Sequence, residues 1–363
     1  MKKLSFFTII LLISLLIFLS MQNIDQSVEE KIPPIWELYY KGELNQALGL
    51  AISLLSKSPE HPEINLIIGR IYVDLKQYVV AIPYLEKAIK NDPNFTKIKS
   101  WALAYQGVAF YMTNQPIEAK RVLQFCVDLN IEKDSVAFAR KRISIYGLSV
   151  FFEDWKNTFS NDFSIFMQPA VGLDVKSFLQ NAEESLKLVK TIVPYESRKR
   201  INIFLWQSWE TGPIIIGENI PYENYVYLVS HLNYKDSIAR SIAKIVVYNR
   251  YFPLDPIVSP IIFEGFGYYI EKYNSDLYKE AKEVIKNQNI LSFTIKKLWL
   301  DWNAMPSQVK PSISAAFVKY LIEVGGIQKF NELLKDMSYG NAEKIYGSSL
   351  EKIISDFDKK VLQ

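Results

Sequence analysis

Residues able to carry chemistry are few in this chain. Arg240-Ser241-Ile242-Ala243-Lys244 sets a hydroxyl and an amine one helical turn apart. In an S-x-x-K spacing the serine can act as nucleophile with the lysine as its base. Ser349-Leu350-Glu351-Lys352 repeats the spacing, and neither SDN nor KTG follows either copy. The pattern is therefore read as chance. Glu264-Gly265 lies 20 positions after Lys244. His61 and His231 are the only histidines and stand 170 residues apart, so no local pair can hold a metal. His231 reads as a structural or surface residue. Cys126 is the single cysteine, which excludes an intramolecular disulfide and a multi-cysteine metal site. It falls at a small-residue packing position and reads as inert core. There is no G-x-S-x-G, no Walker loop and no complete G-x-G-x-x-G. Gly265 and Gly267 read as close helix packing. The run Arg198-Lys199-Arg200 reads as a solvated turn.

The elements that would position these residues belong to a globular chain. Of 363 residues, 49% are hydrophobic and 22% charged, enough for two domains with their own cores. A net charge of +3 leaves no electrostatic footprint for nucleic acid. Aromatics are numerous, with Trp206 and Trp209 flanking a strand end and Trp299 and Trp302 on a helix. Most read as core; stacking on a cell-envelope glycan is the alternative.

Lys2 and Lys3 precede an apolar, uncharged run over residues 4–21. It is longer than the apolar region of most signal peptides and long enough to span a bilayer. Residues 1–21 are expected to form a membrane anchor, with a cleaved signal peptide as the alternative. The lysines favour the cytoplasmic side, so the rest lies outside the cytoplasm, or in the periplasm if cleaved. No cysteine follows the run, so a lipoprotein anchor is excluded. Residues 22–33 read as a linker ending at Pro33-Pro34.

A repeat follows. GRIYVDLKQYVVAIPYLEKAIKNDP carries Gly69, Tyr72, Ala81, Ala88 and Pro93. Gly107, Phe110, Ala119 and Cys126 recur at the same internal offsets, and an earlier copy holds Ala47 and Pro59. Ala47 to Ala81 is 34 residues, and Ala81 to Ala119 is 38. This pattern resembles the tetratricopeptide repeat, whose helix–turn–helix units have a 34-residue period. Small residues are needed where paired helices cross. A further helix over 135–146 would cap the array. The resemblance implies a concave face, the exposed side of each first helix, that takes other proteins or peptides. It would be lined by Glu63, Leu66, Arg70, Val73, Trp101, Ala104, Val108 and Tyr111.

From Ser160 the texture changes to strands at 162–169 and 200–208, with a helix at 175–193 between them. One or two more strands are read in 212–230. Helices follow at 237–252, 260–273 and 312–326, and two more close the chain. The order, with EGFGYYIE at 264–271 and AAFVKYLIEVGG at 315–326, resembles the peptidase-MA-like domain, a bacterial relative of the gluzincin zinc peptidases. That family carries His-Glu-x-x-His on a helix, with a third glutamate ligand about 20 residues on. Glu264 matches the third ligand. Arg240 and Lys244 then stand where the histidines would be, and Ser241 replaces the catalytic glutamate. Arginine and protonated lysine have no lone pair for zinc. The resemblance therefore implies a domain without zinc or other cofactor. Two readings of Glu264 follow: it is neutralised by Arg240 and Lys244, or it only starts its helix, where a carboxylate favours the dipole.

The expected fold is α+β overall and mostly helical. It has an anchor helix, an α-α superhelical array with its cap over 34–150, and a gluzincin-like α+β domain over 155–363. The expected function is a non-catalytic, membrane-anchored, extracytoplasmic protein-binding or scaffolding role. A hydrolase with a rearranged site, using Glu264 and His231, and the glycan-binding module remain alternatives.

Overall fold

The computed structural model describes residues 28–169, 171–196, 199–206, 225–229, 234–251, 258–290 and 294–362. The fold is mostly helical with one small sheet, and two compact units divide between Ile143 and Ser144. The expected anchor, His231, Trp209 and most of the 212–230 strand region lie outside the described residues. No described helix is long and apolar enough to cross a membrane.

The first unit is a succession of helices: α1 (Ile32–Tyr40), α2 (Leu44–Leu55), α3 (Pro62–Asp74), α4 (Tyr78–Lys90), α5 (Lys97–Met112), α6 (Pro116–Leu129) and α7 (Lys133–Ile145). Pro33 and Pro34 do not form a linker; they lie in the first turn of α1. Proline is tolerated there because the first helical N–H groups have no intrahelical acceptor. The turns joining α1 to α2, α3 to α4 and α5 to α6 share one geometry. Gly42, Lys76 and Asn114 each adopt the left-handed conformation, at φ 78°, 60° and 64°. The residue after each donates its N–H to the carbonyl five positions back: Glu43 to Leu38, Gln77 to Tyr72 and Gln115 to Phe110. Packing repeats as well. A Cβ on Gly69 would stand 2.6 Å from the Leu85 side chain, and one on Gly107 would meet Leu123 in the same way. In the first pair the corresponding positions hold Ile35 and Ala51, both buried, so the large and small partners are exchanged.

The second unit carries a four-stranded sheet in the order β1 (Lys156–Phe159), β2 (Phe163–Met167), β3 (Ile201–Trp206) and β4 (Tyr225–Val229). β1 pairs antiparallel with β2, while β2–β3 and β3–β4 are parallel. Helix α8 (Val175–Ile192) is the crossover between β2 and β3. Alternation sends Phe163, Ile165, Ile201, Ile203 and Leu205 into the main helical core. Phe166, Phe204 and Trp206 point to the opposite face, where Phe151, Phe152 and Trp155 cover them. Asn202 on that face donates to the Ile145 carbonyl at 3.0 Å. Residues 144–155 thus belong to the second unit's core.

The remaining helices are α9 (Tyr234–Tyr251), α10 (Pro260–Glu271), α11 (Leu277–Asn287), α12 (Ile295–Leu300), α13 (Lys310–Lys335), α14 (Tyr339–Tyr346) and α15 (Leu350–Leu362). Two expected helices, 312–326 and the following segment, are merged in α13 with a kink at Gly326, φ 78°. The chain turns there where only glycine adopts the angle without strain.

Candidate functional site

Helices α9 and α10 bring the expected site residues together. Lys244 Nζ lies 2.6 Å from Glu264 Oε1, with the lysine side chain 10% and the carboxylate side chain 29% exposed. Arg240, one turn earlier, does not reach Glu264 as expected. Its Nε lies 3.2 Å from Glu271 Oε2, and its guanidinium stacks 4.7 Å from the Tyr268 ring. Helix geometry is the reason. Lys244 with Glu264 and Arg240 with Glu271 is the pairing order of antiparallel helices, so each cation meets its own carboxylate. Ser241 sits half-buried on the same helix.

Two glycines let α10 seat so closely. A Cβ on Gly267 would stand 2.8 Å from Arg240 Cγ and 3.3 Å from Lys244 Cδ, so the cation stems lie across the bare glycine. A Cβ on Gly265 would stand 2.8 Å from the Ser314 carbonyl of α13. Among the described residues no three His, Cys, Asp or Glu side chains cluster to hold a metal. Sequence reasoning missed Glu271, although its place two turns beyond Glu264 on the same helix could have indicated a second pairing.

The face of the first unit expected to receive a partner is largely closed. Leu66, Arg70, Val73, Ala104 and Val108 are buried, and Glu63, Trp101 and Tyr111 are half-buried. The cause is the unit's own aromatic side chains. The Arg70 guanidinium lies 4.6–5.0 Å from the ring centres of Trp36, Tyr39, Trp101 and Tyr105. It donates to the Tyr105 hydroxyl at 3.2 Å. The Tyr105 and Tyr39 hydroxyls are 3.4 Å apart, and Tyr39 donates to Asp74 Oδ2 at 2.5 Å. Burial raises the pKa of both phenols, keeping them protonated and able to donate. Trp36 Nε1 donates to Glu63 at 2.8 Å, and Phe138 from α7 stacks on Tyr105 at 5.2 Å. A charge inside the apolar run around Arg70 was the signal that partners would surround it.

Other candidates resolve simply. Cys126 is buried, its thiol 3.3 Å from the Ser100 carbonyl, and burial raises its pKa. His61 caps α3: its Nδ1 accepts from the Ile64 N–H and its Nε2 donates to Glu29 at 2.9 Å. Trp206 and Trp299 are buried, which removes them from any glycan-stacking surface.

A cleft of about 740 Å³ between α12 and α15 is lined by Lys296, Lys297, Leu300, Ile354 and Asp358 among others. Burial pushes the Asp358 carboxyl up to about 6, against the opposing hydrogen bond from the Ile295 N–H. No family model, no curated protein and no solved structure matches this chain.

Proposed function

We propose that this chain is a non-catalytic scaffold held at the outer face of a cytoplasmic membrane. In this reading a tetratricopeptide-like array precedes a peptidase-MA-like domain that has exchanged its metal for ion pairs. The observation that carries it is the 2.6 Å Lys244–Glu264 contact. A lysine amine occupies the carboxylate that the family resemblance assigns to zinc, and a bound cation there would have to displace a partly buried ammonium. The three repeated turns and the matched Gly69–Leu85 and Gly107–Leu123 packing support the array assignment.

Protein partners are assigned to the turn end of the array, not to its inner face. Tyr40, Val79 and Ile117 are 72%, 72% and 80% exposed near the three turns. They stand at one end of the unit, whereas the inner face offers no comparable exposed apolar side chain. The test is metal analysis of the full chain purified from zinc-replete medium, together with peptide hydrolysis. The expected result is no stoichiometric zinc and no turnover. One zinc per chain that is lost in Glu264→Ala, with hydrolysis, would replace this reading with the hydrolase.

A further inference from the structure

The first unit has two ends, and side-chain hydrogen bonds define one of them. Glu29 binds His61, and Glu60 next to it binds Lys87 and Asn91. Asp92 accepts from Thr96 and Lys99, and Ser100 hydrogen-bonds Ser135 at 2.5 Å. The chain entry and the loops 56–61, 91–96 and 130–132 are therefore neighbours. The three tight turns lie at the opposite end, about 20 Å away along a 13-residue helix such as α4.

Two of these entry-end loops expose an apolar tip. Phe95 is 48% and Ile131 37% exposed. Phe95 also holds a left-handed backbone at φ 53°, an uncommon conformation for a bulky side chain. Asn130, in the next loop, uses asparagine for a similar angle, φ 48°. Asp92 fixes the Phe95 loop by accepting the Thr96 N–H, the Thr96 hydroxyl and the Lys99 N–H. The ring gains no core burial in return; it faces outward with the Lys99 amine 3.8 Å from its centre. Lys57, Lys90, Lys97 and Lys133 are exposed at the same end. Glu29 and Glu60 are occupied by His61, Lys87 and Asn91, while Glu30 and Asp134 are exposed beside the four lysines.

The tether decides what these tips meet. The apolar run ends at Met21 and the described chain begins at Val28. Seven extended residues reach at most about 25 Å. If residues 4–21 span the bilayer, the entry end of the first unit is the tethered end, and the turn end lies about 20 Å farther along the helices. We propose that Phe95 and Ile131 insert into the headgroup region of that lipid surface, with the surrounding lysines facing lipid phosphates. An interfacial side chain reaches only about 5–10 Å in, so one end of the unit can be seated at a time. This inference rests on the anchor reading.

The test uses the full chain reconstituted in phosphatidylcholine vesicles containing phosphatidylglycerol. In a Cys126→Ser background, Phe95→Cys, Ile131→Cys and Ile117→Cys variants each carry an environment-sensitive fluorophore. The expected result is a blue shift with quenching by spin-labelled lipid at 95 and 131, and neither at 117. Co-flotation without a response at 95 and 131, or with a response at 117 instead, overturns the inference and leaves the anchor intact. Failure to co-float overturns both. Phe95→Asn keeps a residue suited to the left-handed angle. It is expected to hold or raise the Tm while weakening quenching at position 131. A large fall in Tm with quenching retained would make Phe95 a structural residue and overturn its role.

Discussion

Each unit buries a cation, and the two solve the same electrostatic problem differently. In the second unit Lys244 faces a carboxylate directly at 2.6 Å. In the first, no salt bridge reaches Arg70 among the described residues. Four aromatic faces surround it, and two phenols lead from it to Asp74. A guanidinium is weakly hydrated and planar, so ring faces satisfy it; a compact ammonium needs an anion. The difference shows which site is fragile. Removing Lys244 strands Glu264, whereas removing Arg70 strands no charge.

Lys244→Met should therefore cost the most, about 3 kcal/mol of stability, as for other broken buried pairs. The double variant Lys244→Met with Glu264→Leu should recover most of it in denaturant unfolding. If the double variant is no better than the single, the pair is not the unit that matters. Gly69→Ala should cost about 2 kcal/mol, because its Cβ would stand 2.6 Å from Leu85. Gly69→Ile should cost more than Gly69→Ala, and Gly69→Ile with Leu85→Ala, which copies the exchanged Ile35 and Ala51 of the first pair, should recover part of that loss. Arg70→Met should cost about 1–2 kcal/mol and alter tryptophan emission, since Trp36 and Trp101 lose the cation between them. A loss as large as that of Lys244→Met would end the contrast between the sites.

The smallest effect is pH-dependent and belongs to Asp358. Its folded pKa of about 6 lies above the ordinary 3.8, with burial as the cause. A raised pKa favours the protonated form in the folded state. The contribution is complete below the unfolded value and is lost as pH rises through about 6. Stability should decline across that window by on the order of 1 kcal/mol, allowing for solvent screening. Asp358→Asn, measured by denaturant unfolding at several pH values, should flatten the slope.

Much of the helical frame was legible because period-3.6 patterns and small-residue offsets survive in a single sequence. Gly69, Ala81, Gly107 and Ala119 announce their crossings because no larger side chain fits there. β1 was not legible: Lys-Asn-Thr-Phe is short, mostly exposed and lacks an apolar alternation. The Lys244–Glu264 contact could be reasoned from spacing, since one helix turn and one helix pairing determine it. The closing of the inner face could not. It depends on Trp36, Tyr39, Trp101 and Tyr105 from two helices converging on Arg70, which the periodicity of any one helix does not reveal. The cover over the outer sheet face escaped for the same reason. Residues 144–155 look like a connector until Phe166, Phe204 and Trp206 are seen to need it.

The lone thiol gives the molecule an internal clock. Cys126 is fully enclosed in the first unit, and the second unit contains no cysteine. Alkylation of the native chain must therefore wait for the first unit to open. Its rate, compared with that of the unfolded chain, reads the opening equilibrium of the first unit alone, without signal from the other half.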